Sequence, residues 1–234
     1  MQTNRYTQTG ASTKSYDAGL RAHMSSVYNR MSVGVLITAL VAWTVSSSPQ
    51  LLELLLGGPQ KYLVMFGPIA ILWFGFNPQR MSSQKLMISF VAISALYGAS
   101  FSVLALVFAG EDIARAFFIT AGMFAGLSIF GYTTKKDLSA IGTFCAMGVM
   151  GVLLLSIAGL FFEYSSGMHM ILNGVTVLLF AGLTAWETQN VKAMYSASHG
   201  TEINSRLAWS SALSLYISFV AMFVNILQLM GGRE

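Results

Sequence analysis

"IGTFCAMGVMGVLLLSIAGLFF", Ile141–Phe162, runs for 22 residues without a charged side chain. A helix crosses the hydrocarbon core of a bilayer in about 20 residues, so this stretch reads as a membrane span. The rest of the chain has the same character. It is 55% hydrophobic and 9% charged, with a mean hydropathy of +0.64, where a soluble domain carries about 25% charged residues. One soluble core cannot hide that much apolar surface, and the class is integral membrane protein.

Six further apolar runs flank the first, at about 31–48, 61–77, 85–109, 113–132, 168–187 and 207–230. The run at 61–77 is the weakest: it is short, contains Pro68 and ends at "NPQR". The expected fold is all-α, a polytopic membrane protein with seven transmembrane helices in one domain over residues 28–234. Residues 1–27 are polar, rich in Ser, Thr, Asn and Gln, and are expected to be a flexible cytoplasmic tail. They carry no early apolar core, so they do not read as a cleavable signal.

Lys and Arg set the orientation. With the N-terminus inside, the inner segments hold 10 of them: Arg5, Lys14, Arg21, Arg30, Arg80, Lys85, Lys135, Lys136, Lys192 and Arg206. The outer segments hold 3: Lys61, Arg115 and Arg233. Cytoplasmic loops carry the excess, so the expectation is N-in and C-out. The net charge of +4 is therefore topological. No basic patch has interleaved aromatics, and nucleic acid is not an expected partner.

Polar residues inside spans face the bundle or a wet cavity. At about 100° per residue, Thr176, Thr184 and Glu187 fall within about 60° of Asn173. By the same count Ser211, Ser218, Asn225 and Gln228 fall within about 60° of Ser214. Two polar stripes on consecutive antiparallel helices are expected to face each other or to line one cavity. Tyr216 falls on the far side of its stripe, toward lipid or the interface. The Ser and Thr positions are read first as helix–helix glue, and Gly122 and Gly126 as a close-packing GxxxG. The 14 methionines are spread as core filler. Cys145 reads as a packing residue, and His23, His169 and His199 share no metal-ligand spacing.

Glu187 stands apart, because an acid near mid-helix costs on the order of 3 kcal/mol. Two readings stay open. It is an interfacial residue reaching headgroups and water, or a carboxylate at the inner mouth of a polar pathway, able to bind a cation or respond to pH. No HExxH, no GxSxG and no pair of aspartates within spans is present, so an enzyme is not expected, nor is a cofactor.

Three stretches, "GYTTKKDLSAIG" (Gly131–Gly142), "GLTAWETQNVK" (Gly182–Lys192) and "LSLYISFVAMFVNIL" (Leu213–Leu227), together resemble the Bax inhibitor-1 family, also called the transmembrane Bax inhibitor motif family, in its bacterial form. The resemblance runs from about residue 20 to the C-terminus. It implies a seven-helix bundle around a central helix in the bacterial inner membrane, acting as a pH-sensitive calcium-leak or cation channel. It implies a proton-sharing pair of aspartates as the pH sensor, at positions held here by Glu187 in "WETQ" and Ser218 in "LYISF". A basic latch is implied at Arg80, with Lys85 as the alternative. Asn173 and Asn225 complete the expected ion pathway. Calcium enters as the transported ion, for which Glu187 with Ser218 and Asn225 is a thin site, since hard cations take several oxygens. With one carboxylate of the pair lost, weaker calcium affinity and a changed or absent pH gate are expected. The alternative is a non-conducting membrane regulator that binds other membrane proteins, such as a membrane protease.

Overall fold

The computed structural model describes residues 3–159, 161–162 and 164–231, with side chains from Tyr16 onward. In chain order the helices are α1 (Thr3–Ser46), α2 (Pro49–Leu56), α3 (Gln60–Ala70), α4 (Ser83–Phe101), α5 (Leu104–Val107), α6 (Gly110–Thr133), α7 (Ser139–Ala158), α8 (Ser166–Met194) and α9 (Thr201–Gly231). A π-helical turn, Ile71–Gly75, continues α3. There is no strand among the described residues. The chain is an all-α multi-pass membrane protein. Six segments are long and apolar enough to cross a bilayer, and α2 with the α3 segment makes a seventh if that bent pair is one span.

Local chemistry explains the breaks. Ser48 caps α2 by accepting from the N–H of Leu51, with Pro49 in the first turn, where its missing N–H costs nothing. "GGP", Gly57–Pro59, then breaks the path, and the two helices bend by 72°. Pro68 lies inside α3. It removes one ladder donor, and the helix loosens into the π turn three residues later. Ser82 and Ser165 cap α4 and α8.

At the centre stands α9, packed by α8, α1, α6 and α4. Leu215, Tyr216, Met222 and Leu227 on it are fully buried. Segments of α1, α4, α8 and α9 and the 134–138 turn meet at one end of the bundle, hereafter the basic end. Arg30 donates to the carbonyl of Ser205 at 2.7 Å and stacks 4.4 Å over Trp209. Ser83 joins Ser205 through their hydroxyls at 2.6 Å. Gln189 holds the 134–138 turn, and Tyr195 packs on Gly19 and His23.

Several expectations change here. The tail set apart at 1–27 is helical from Thr3 onward, and Leu20, His23, Met24 and Val27 are buried. Their spacing places them on one helix face, which docks the start of the span against Tyr195 and α9. Tyr216, expected toward lipid or the interface, is fully buried. Its hydroxyl lies 2.7 Å from that of Thr38, which can donate onward to the carbonyls of Gly34 and Ser94, each at 3.0 Å. A central helix has neighbours on every side and no lipid face. The Gly122–Gly126 pair meets nothing within 4 Å of either position. It lies on an open face of α6, and close approach happens elsewhere.

Candidate functional site

Five consecutive residues of α8 are each engaged by a neighbouring segment. At Ala185 the helix touches α6, whose Gly131 has no room for a Cβ over the Ala185 carbonyl. Trp186 covers Gly142 of α7, again with no space for a side chain on the glycine. Glu187 turns to α9. Thr188 turns to α6 and α1, with Tyr28 Oη at 3.3 Å and Ser128 Oγ at 3.5 Å. Gln189 accepts from the N–H of Leu138 and donates to the carbonyl of Lys136, both at 2.9 Å. A helix turns about 100° per residue, so five consecutive residues sweep its whole circumference. Four helices and a turn enclose α8 here.

Within this collar, Glu187 is held by two serines one turn apart on α9. Ser214 donates to Oε1, and Ser218 donates to Oε2 at 2.8 Å. Ser218 is buried, while Glu187 and Ser214 are partly buried. An ionised carboxylate is an acceptor only, and the two hydroxyls give each of its oxygens one donor. The contact spans the α8–α9 interface and clasps the two helices.

The apolar run ends at Glu187, but the helix does not. It continues to Met194, which places Glu187 about 10 Å inside the helix end at 1.5 Å per residue. Hydropathy falls in "ETQNVK" while hydrogen bonding continues, because Gln189 and Lys192 find protein partners. The Glu187 oxygens are both engaged inside the bundle.

Of the residues singled out from sequence, Glu187 and Ser218 come together. Asn173 does not join them: it lies 14 residues earlier on α8, about 21 Å away along the axis. Asn225 donates to the Ala221 carbonyl of its own helix at 2.8 Å. Thr176 and Thr184 donate to the Leu172 and Phe180 carbonyls, each at 2.7 Å. The two stripes therefore meet through Glu187, Ser214 and Ser218, while the Thr176 and Thr184 hydroxyls are spent on their own helix. Arg80 and Lys85 are exposed near the turn before α4, and neither pairs with Glu187. Ser214 was not among the expected site residues. Its signal was present, since it precedes Ser218 by four residues and shares its face. No group of three or more His, Cys, Asp or Glu among the described residues could hold a metal ion.

Comparison with known proteins follows the same residues. A family profile described as "Inhibitor of apoptosis-promoting Bax1" matches residues 20–234. The chain is 37% identical to an uncharacterized protein of Caulobacter vibrioides, over 94% of this chain and 92% of that one. It is 35% identical to an uncharacterized protein of Rickettsia prowazekii over 98% of both chains. It is 33% identical to inner membrane protein YbhL of Escherichia coli, over 93% of this chain and 94% of that one.

Proposed function

The chain belongs to the Bax inhibitor-1 family, and on that premise we propose that it is a cation-leak protein of the bacterial inner membrane. Calcium is the ion carried, and the Glu187 clasp is the contact that closes the path. The basic end faces the cytoplasm, because Lys and Arg gather there. The observation that carries this reading is the engagement of both Glu187 oxygens by α9 hydroxyls. A carboxylate costs several kcal/mol to bury unpartnered, so it is kept in a span where it has work to do. Here it has two states of comparable chemistry. Closed, it accepts from Ser214 and Ser218. Open, with α8 and α9 apart, it offers the same oxygens to a passing cation. A single carboxylate with two hydroxyls gives weak residence, which suits a leak rather than a storage site.

Calcium flux into dye-loaded proteoliposomes tests this, with Glu187→Gln beside wild type from about pH 6 to 8. The charge-removed variant should pass calcium differently at every pH. Identical rates and identical pH dependence remove Glu187 from the mechanism.

One observation favours a second reading, a non-conducting regulator of other membrane proteins. Gly122 and Gly126 present an open, side-chain-free strip on α6, a surface on which another helix can approach closely. Co-purification in mild detergent separates the two readings: a stoichiometric membrane partner with no flux from the purified protein supports regulation.

A further inference from the structure

The seam between α1 and α6 is open along its length. Both helices pack on α9 from either side, without extensive packing on each other. Two cavities fill the gap. The one toward the basic end has a volume of about 740 Å³ and is lined by Arg21, Met24, Tyr28, Phe124, Ser128 and Tyr132, among others. The one toward the far end has a volume of about 520 Å³ and reaches Trp43, Phe101 and Phe108. They share Val35, Phe117 and Phe219, so they form one groove floored by α9. From Arg21 to Trp43 the groove covers 22 steps of α1, about 33 Å at 1.5 Å per residue. That matches the hydrocarbon thickness of about 30 Å.

Its walls are apolar, and its two ends differ in charge. At the basic end Arg21 is exposed at the mouth. Lys192 donates to the Tyr132 carbonyl at 3.2 Å, and its amine lies 4.9 Å over the Tyr132 ring. Lys135 and Lys136 follow on the exposed turn after α6. Of the acids at this end, Glu202 is paired with Arg206 and Glu187 is held by Ser214 and Ser218, while Asp17 and Asp137 form no ion pair among the described residues. At the far end the charges are Glu111 and Asp112, with Arg115 bridging them. A long apolar groove with a surplus of cations at one mouth, and acids outnumbering Arg115 beside the other, is complementary to a molecule with one anionic head and an apolar tail.

We propose that the α1–α6 groove is a binding site for one anionic phospholipid. The phosphate sits at Arg21 within reach of the Lys192 field, and the tyrosine and serine hydroxyls near the mouth serve the glycerol region. One acyl chain runs past Met24 and Phe124 toward Phe219. The lipid props apart two helices that both press on the helix carrying Ser214 and Ser218. The site stands whether or not the protein conducts.

The test uses the full chain reconstituted in equal mixtures of phosphatidylglycerol and phosphatidylcholine, then re-extracted in mild detergent. Retained lipid is identified and counted by mass spectrometry. Wild type should retain phosphatidylglycerol in preference. Arg21→Gln should cut that retention about fivefold, the value of one basic residue at an anionic surface. Arg21→Lys should largely keep it, and Lys61→Gln, at the far end, should not change it. Ala125→Trp, which fills the groove wall, should lower retention of both lipids while the protein stays monodisperse. Equal retention of the two lipids by wild type, or an unchanged Arg21→Gln, overturns the headgroup assignment. An unchanged Ala125→Trp overturns the groove as the acyl site.

Discussion

Ser218→Ala is the sharpest perturbation of the clasp. It removes the hydroxyl that donates to Glu187 Oε2 at 2.8 Å and leaves that oxygen without its partner. A hydrogen bond to a charged group contributes about 1.5–3 kcal/mol. Cross-helix hydrogen bonds in membrane bundles average about 0.6 kcal/mol and reach about 1.7. The overlap, about 1.5 kcal/mol, shifts a closed–open equilibrium about tenfold toward open. Calcium flux per protein should therefore rise about tenfold at neutral pH, with Ser214→Ala giving a rise of the same order. The control is a double-mutant cycle. In a Glu187→Gln background, Ser218→Ala should have a much smaller effect, because the interaction it removes is already altered. Two outcomes defeat the reasoning. One is unchanged or reduced flux in Ser218→Ala from protein that melts at the wild-type temperature. The other is a full Ser218→Ala effect that persists without the Glu187 carboxylate.

Four further predictions come from the same geometry. Ser218→Asp sets a second carboxylate against Glu187; the pair then holds one proton between them, and calcium flux should become steeply pH-dependent between about pH 6 and 8. Tyr216→Phe deletes the hydroxyl bonded to Thr38 inside the core and should cost about 0.6–1.7 kcal/mol, read as a lower melting temperature in detergent. Gly131→Ala forces a methyl into the Ala185 carbonyl and should cost about 1–3 kcal/mol as overpacking, while Gly122→Ala, facing open space, should be close to neutral in the same melt. Asp137, on the exposed turn before α7, has its carboxyl held below the usual range by the Ser139 hydroxyl and then by the Ser139 N–H. A depressed carboxyl stabilises above its unfolded value of about 3.9 and loses that contribution as pH falls through the folded value, so Asp137→Ala should melt lower than wild type at neutral pH and converge with it in acid.

The spans were legible because length and apolarity in a bilayer are a nearly sufficient specification. The facing of the Glu187 and Ser218 stripes was legible from period and topology, and the pairing of these two residues from the family resemblance. Three things were not. Helix ends were misjudged where polarity and helicity part: α8 runs past Glu187 because Gln189 and Lys192 satisfy themselves on the 134–138 turn and on Tyr132. The packed start of α1 was hidden under a polar composition, although Leu20, Met24 and Val27 already carried the helical spacing. Tyr216 was misplaced because an angle measured from a polar stripe locates lipid only for a peripheral helix, and α9 is central.

The glycines show why small residues alone could not rank the interfaces. Gly122-x-x-x-Gly126 has the familiar spacing and touches nothing, whereas Gly131 and Gly142, in no spaced motif, are sites of close approach with no room for a Cβ. Both sit against α8, at Ala185 and Trp186, the two residues just before Glu187. Close approach of α6 and α7 at this level leaves α8 no freedom to slide, so the clasp can loosen only on the α9 side. That side is also where the α1–α6 groove presses, through Phe219, the residue after Ser218. The collar thus fixes one half of the carboxylate contact, and if a lipid fills the seam, as proposed, it bears through Phe219 on the helix that carries the other half.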